Sequence, residues 1–395
     1  MLLVVSTLFF AYGGIPAFNR LLLQAAMAFC QARRAPLSVW ALTDPLPRSA
    51  SSAARSASSL PGPAPSDPVS PVVSVASPHA PAAAELEPPF LPAFVRYQPC
   101  GGDRRRLIAG VLGELGRPLP LVIGHVNLAP LGLIWPRPYG VIAHGSEVYA
   151  RLPLLRRLGL LRAARVACVS DHTRDCVQRL QGVAMNRCLR VVNALPVLPA
   201  LPAPRPPMGP LRLLCISRLH PDEPKGIDAL LQALCLLPPH LAQLTVSGDG
   251  PARPALRALA TALRLDGQRV RFLGAVPDAV RDAELDACDV FVLPSEAEGF
   301  GIVYLEALAR GKPCIAAQAG GAPEIVREGE TGFLVPTPVR AHIPTLAAAI
   351  ISLSDPALRA RLGQAGRQRV EAAHTQAAFT AQAQAFFAAL SSRSH

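Results

Sequence analysis

The chain has 395 residues, half of them apolar, which allows two or three buried cores and excludes a disordered polymer. Aromatic residues make up only 5%, so those cores must be built from Leu, Val, Ile and Ala. The net charge of +12 is almost wholly arginine, because Lys225 and Lys312 are the only lysines, and no basic run interleaves with aromatics in the way a nucleic-acid partner would require.

In chain order, the apolar run 2–9 reads as a buried first strand. It has no basic start and no small-residue cleavage site, and it is too short to span a bilayer, so neither a signal peptide nor a membrane anchor is expected. A helix is predicted over 15–32, with further strands near 37–42, 121–124, 140–144, 165–169 and 189–192. Short apolar runs alternating with helical patterns indicate an α/β domain with a parallel sheet, assigned to residues 1–195. The Pro, Ser and Ala-rich stretch 45–92 interrupts it. With little apolar surface to offset the entropy of ordering, it reads as a low-complexity insertion. A proline-dense linker follows at 196–210. The alternation then restarts over 211–375, with strands near 212–217, 243–247, 270–273, 290–293, 313–316 and 332–335, and 344–391 reads as helical throughout. The nine cysteines are scattered without a C-x-x-C pair, which favours reduced thiols in a cytoplasmic protein over a disulfide framework or a zinc site.

The densest chemical signal is EAEGFGIVYLEALARGKP, 296–313. It follows the apolar run VFVLP, and its glycines mark a tight loop opening a helix near Ile302. Unpaired N–H groups at such a start can bind an anion or hydroxyls. Glu298 in the loop and Glu306 about one turn into the helix are acceptors for two parts of one ligand. Helix capping is the plainer role for Glu298.

The second signal is CISRLHPDEPKG, where Arg218 and Lys225 stand at the carboxyl end of a strand, the ligand edge of an open α/β sheet. Arginine offers a fork to phosphate oxygens and lysine a compact charge. Surface pairs with Asp222 or Glu223 are the alternative. No D-x-D pair occurs, so a diphosphate would be neutralised by side-chain cations and amides rather than by a bound metal.

Weaker cues share the geometry. Gly13 and Gly14 precede the first helix and permit close backbone approach to a phosphate or sugar. His144 ends the run VIAH, where it is either structural or a holder of a reacting hydroxyl. Gly248 in SGDGP lies after a strand, where a nucleotide would sit or where an ordinary turn would do. Asn193 either caps a hinge or forms a turn.

With GGIPAFNR, VIAHGSEVY, ACVSDHTRD, ISRLHPDEPKG, SGDGP, RFLGAVP, DVFVLPSEAEGFGIVYLEALARGKPCIA and EGETGFLV in order along the chain, the sequence resembles the retaining glycosyltransferases of family 4, the glycosyl transferases group 1 with the GT-B fold. The resemblance implies two Rossmann-like domains facing across a cleft, with the final segment 376–395 crossing back to the first. It implies a nucleotide-diphosphate sugar as donor, an acceptor hydroxyl, retention, and no metal or resident cofactor. Arg218 and Lys225 would take the diphosphate, Glu298 the transferred sugar with the amides of Phe300, Gly301 and Ile302 nearby, Glu306 the ribose, Gly14 the donor phosphates and His144 the sugar and acceptor. The insertion at 45–92 departs from the family's more compact pattern.

A sugar-nucleotide epimerase of the same fold, or a non-catalytic sugar-nucleotide-binding protein, is the competing reading. A phosphorylase is disfavoured, since it would need a lysine for pyridoxal phosphate. The basic balance reads either as composition drift with solubility or as attraction to phosphates and a peripheral contact with an anionic membrane surface, with polysaccharide or glycolipid assembly as the setting.

Overall fold

The structure is a computed structural model that describes residues 1–9, 13–46, 91–202, 209–223 and 225–391. Most of the expected insertion at 45–92, and six residues of the proline-rich linker, lie outside the described residues.

The first body runs β1 (Leu2–Val5), α1 (Gly14–Ala32), β2 (Leu37–Ala41), β3 (Val95–Pro99), α2 (Arg104–Gly113), β4 (Leu121–Ile123), β5 (Tyr139–Ala143), α3 (Leu154–Arg162), β6 (Arg165–Cys168), α4 (Asp171–Gln181) and β7 (Cys188–Arg190). All its strand pairs are parallel, in the order β3-β2-β1-β4-β5-β6-β7. Side chains alternate between the two faces of a strand. Leu3 and Val5 therefore join the core under α1, while Leu2 and Val4 join a second core under α2 and α3.

The first strand is shorter than the apolar run suggests. It ends at Val5 because Asp44 draws the chain into a turn, accepting from the N–H groups of Leu8 (3.1 Å) and Phe9 (3.2 Å) and from the Thr7 hydroxyl (2.7 Å). β3 was not expected. Its sequence VRYQP is polar and half-buried at the sheet edge, so it lacks the apolar run that marks a central parallel strand.

The second body runs β8 (Leu211–Ile216), α5 (Ile227–Cys235), β9 (Ala242–Ser247), α6 (Arg253–Ala262), β10 (Val270–Gly274), α7 (Asp278–Ala287), β11 (Val290–Leu293), α8 (Ile302–Leu308), β12 (Cys314–Ala317), α9 (Ala322–Ile325) and β13 (Gly332–Val335). Its parallel order is β10-β9-β8-β11-β12-β13. The order reverses between β8 and β11, and such a switch point opens the crevice in which doubly wound sheets bind ligands.

The end of the chain is not one continuous helix. It divides into α10 (Ile343–Ser352), α11 (Pro356–Ala373) and α12 (Gln376–Ser391), because Asp355 caps a helix that begins on Pro356 and His374 breaks the next junction. α12 packs on α1 of the first body, burying Phe379 against Phe18 and Phe387 against Phe29 at ring separations of 5.0 and 5.4 Å. The chain therefore crosses between bodies twice, and the crossings meet: the Leu195 N–H donates to the His374 carbonyl at 3.0 Å, and His374 Nδ1 lies 3.1 Å from the Asn193 carbonyl. No described helix is long and apolar enough to cross a membrane.

Candidate active site

Two loops of the second body converge at the switch point. The loop after β8 carries Arg218 and Lys225, and the loop after β11 carries Glu298. Gly226 allows them to meet. It holds φ 68° at the start of α5, and a Cβ there would stand 2.2 Å from the Pro294 carbonyl, so any larger residue pushes the lysine loop off the glutamate loop. The result is Lys225 Nζ at 3.5 Å from Glu298 Oε2 and 3.6 Å from Glu223 Oε2, with the lysine side chain only 11% exposed. Arg218 reaches the same Glu223 at 3.4 Å, but its side chain is 81% exposed. The surface pairing weighed as an alternative thus exists. For Arg218 it is a solvated contact worth about 0–1 kcal/mol, easily exchanged for a phosphate.

The Glu298 loop is gripped from both bodies. The Tyr149 hydroxyl donates to the Glu298 carbonyl at 2.9 Å, and Ser170 Oγ donates to the Gly299 carbonyl at 3.0 Å. Burial raises the Tyr149 phenol, so it remains a donor at neutral pH. Within the second body the Gly321 N–H donates to the Glu298 carbonyl at 2.8 Å. Backbone meets backbone across the cleft at Gly145 and Gly299, where a Cβ on Gly145 would lie 2.2 Å from the Gly299 Cα.

His144 follows β5 beside that contact. Its Nε2 lies 2.8 Å from the Gly124 carbonyl, an acceptor only, so Nε2 carries the proton and Nδ1 keeps its lone pair. Burial pushes its pKa down, with Glu147 and the Gly124 carbonyl opposing. The ring therefore stays neutral, and it can accept from a hydroxyl but not supply a charge. Its neighbour His125 is held at about 4, first by burial and then by His144.

Gly13 is the N-cap residue of α1, and a Cβ on Gly14 would face the Ile302 side chain at 3.5 Å, so the first glycine turn abuts the start of α8 from the opposite body. Gly301, with φ 89°, caps α8, and Phe300 is buried. Gly248 packs on the Ser217 carbonyl, joining the loop after β9 to that after β8. Glu306 lies within α8, 3.9 Å from Arg281 of α7. Burial raises its carboxyl, while Arg281 and Arg310 oppose the shift.

Four residues of this network escaped sequence reasoning. Tyr149 and Ser170 act on a loop more than a hundred residues away, so no local spacing reveals them. Glu324 of α9 accepts from the N–H groups of Asp171 and His172, both at 2.9 Å, and thereby binds the N-terminus of α4 across the cleft. Its signal was the turn GGAPEI after β12, where two glycines precede a short helix. Arg281 beside Glu306 was likewise hidden in an ordinary amphipathic helix.

A cavity of about 690 Å³ opens elsewhere, on a face of β8, β9 and β10. Arg212, Arg257 and Arg271 at its walls are already paired with Asp289, Asp266 and Glu284, so it has the character of a solvated sheet face. The cleft, in contrast, gathers Lys225, Glu298, His144 and the glycine turns.

Residues 210–355 match the family model described as Glycosyl transferases group 1. Over 170 residues the chain is 39% identical to a GDP-mannose-dependent monoacylated alpha-(1-6)-phosphatidylinositol monomannoside mannosyltransferase of Corynebacterium glutamicum, covering 40% of this chain and 42% of that protein. It is 36% identical over 179 residues to a D-inositol 3-phosphate glycosyltransferase of Streptomyces avermitilis, covering 42% of this chain and 38% of that one. These matches span less than half the length of either relative. Over the full chain the fold is similar to sucrose-phosphate synthase from Thermosynechococcus elongatus, with a TM-score of 0.72 at 21% identity and 100% and 99% coverage. It is also similar to Anabaena Alr3699/HepE in complex with UDP-glucose, with a TM-score of 0.68 at 19% identity and 98% and 99% coverage. The chain thus has the GT-B fold, and within it residues 210–355 match the glycosyl transferases group 1.

Proposed function

We propose that the protein transfers a sugar from a nucleoside-diphosphate sugar to an acceptor hydroxyl, with retention of anomeric configuration and without a bound divalent metal. The observation that carries this reading is the meeting of Lys225 and Glu298 at 3.5 Å on the switch point of the second sheet. In the free protein they neutralise each other. When donor enters, its diphosphate takes over Lys225 and the exposed Arg218, and Glu298 is released toward the sugar hydroxyls. Cations fixed where negative charge develops on the departing diphosphate stabilise the transition state in the role a metal would otherwise fill.

Glu306, flanked by Arg281, is the acceptor for the ribose, and the amides of Phe300, Gly301 and Ile302 lie beside the sugar. Gly13 and Gly14, with Gly248, let backbone approach the nucleotide. The neutral His144 accepts from a hydroxyl through Nδ1 and orients it. Retention requires attack on the face the diphosphate leaves, where a phosphate oxygen can receive the acceptor proton. The reading calls for no resident cofactor.

The relatives' names supply the acceptor class: a phosphatidylinositol mannoside in one and an inositol phosphate in another. A polyol headgroup, free or lipid-linked, is the proposed acceptor, and glycolipid or polysaccharide assembly at the cytoplasmic face of a membrane is the proposed setting. The test is incubation with GDP-mannose, UDP-glucose and UDP-N-acetylglucosamine plus inositol-based acceptors, in the presence of chelator. Nucleoside diphosphate released together with a glycoside of the donor's anomeric configuration supports the reading. Acceptor-independent conversion of the donor to its epimer would replace it with an isomerase.

A further inference from the structure

The outer surface of the first body has a feature that the cleft chemistry does not use. α3 buries Leu160 but turns Leu154, Leu155 and Leu158 outward, the first two 68% and 61% exposed. Positions 154, 155, 158 and 162 follow the helical repeat, so the three leucines and Arg162 form one stripe. Arg151, Arg156 and Arg157 lie around it, and the sequence contains no Asp or Glu from 151 to 170.

The same pattern recurs on α2. Its buried side, Leu107 and Val111, shares one core with Leu160 of α3, so the two helices cover the same face of the sheet. Its outer side carries Arg104, Arg105 and Arg106 with the exposed Ile108 and Leu112. α2 follows β3 directly and so begins near the carboxyl edge, where the cleft opens, whereas α3 begins beside the far end of α4, where the Leu152 N–H donates to Gln181 Oε1 and Arg157 Nε to the Gln181 carbonyl, both at 3.0 Å. The basic start of α2 therefore stands toward the cleft, while the leucines of α3 lie lower on the same outer face.

We infer that this α2–α3 face docks on an anionic membrane surface, inserting Leu154, Leu155 and Leu158 among acyl chains while the arginines meet lipid phosphates. Apolar side chains at the end of a helix ringed by arginine match an interface that is apolar below and negative above. A second copy of the chain fits poorly, because a symmetric pairing would set arginine against arginine. The inference deepens the proposed function, resting on it only for the lipid-linked acceptor, whose tail stays in the bilayer that this face would meet.

The test uses the full chain and needs neither donor nor turnover. Flotation with phosphatidylcholine vesicles containing phosphatidylglycerol should carry the protein up, phosphatidylcholine alone should carry much less, and added salt should release it. The double variant Leu154→Glu/Leu155→Glu should lower vesicle partitioning by about tenfold or more. Because both side chains are exposed, its melting temperature and its binding of GDP or UDP should match the parent. Should that variant fail to fold, Leu155→Gln/Leu158→Gln gives the same readout.

A parent that does not float with anionic vesicles overturns the inference, as does a folded variant that floats equally well. A parent that sediments as a dimer and a variant that sediments as a monomer would assign the face to self-association instead. Vesicle binding with no nucleotide binding would sink the proposed function and leave this surface standing.

Discussion

Glu324 offers the sharpest perturbation of the interdomain arrangement. Its carboxylate accepts two backbone N–H groups at 2.9 Å from the first turn of α4, and its side chain is 18% exposed. A hydrogen bond to a charged group contributes about 1.5–3 kcal/mol. Separating the bodies returns both N–H groups and the carboxylate to water, so the pair together favours the closed form by roughly 2–4 kcal/mol. At about 1.4 kcal/mol per tenfold, Glu324→Ala should shift the closed–open balance by about 30- to 700-fold. Glu324→Gln keeps a carbonyl acceptor and should lose about half of that energy. Small-angle scattering with and without UDP or GDP reads the balance directly, and the alanine variant should be more extended in both states. Steady-state kinetics should show kcat/KM falling, because the Tyr149 and Ser170 contacts to the Glu298 loop form only when the bodies meet. Scattering and kcat/KM indistinguishable from the parent would refute the clasp.

Other expectations follow from the same geometry. Lys225→Ala should lose about ten- to hundredfold in turnover for one charge-assisted bond, and Lys225→Arg should also be impaired because a planar fork does not fit the space beside Glu298; near-normal rates in both would remove Lys225 from the diphosphate site. Glu298→Gln should chiefly lower kcat, since sugar contacts tighten as charge develops, whereas Glu306→Gln should chiefly weaken donor binding; calorimetry with the bare diphosphate showing the reverse would exchange their roles. Stability should fall as pH drops from about 6.5 toward about 4, because His125 binds its proton less readily folded than unfolded and the unfolded chain gains protons first. His125→Asn, which keeps an acceptor for the Asn127 N–H, should flatten that fall in melting temperature; an unchanged slope would show that other groups set it.

Legibility from sequence followed burial and locality. β11 and β12 are fully buried and read as continuous apolar runs, so the loop carrying Glu298 could be placed between a strand and a helix. β3 could not, because an edge strand of Val, Arg, Tyr, Gln and Pro has no such run. The break at Asp355-Pro356 was legible as a cap followed by an N1 proline, but the Ala-rich apolar pattern on both sides masked it. Among the candidate residues, Arg218, Lys225 and Glu298 were legible because each lies in a loop between a strand and a helix, and Glu306 because it lies in the helix that the Glu298 loop opens. Tyr149, Ser170 and Glu324 were missed because their partners belong to the other body, and their function exists only after the two sheets are apposed.

The proposed function requires a nucleoside diphosphate to lie across the β8–β11 switch point. A crystal structure of the full chain soaked with GDP or UDP tests it most directly. Diphosphate oxygens should lie on Lys225 Nζ and the Arg218 guanidinium, with the Lys225–Glu298 contact opened and the ribose hydroxyls on Glu306. Nucleotide bound instead in the β8–β10 trough beside Arg269 and Arg271, with Lys225 still paired to Glu298, would contradict it.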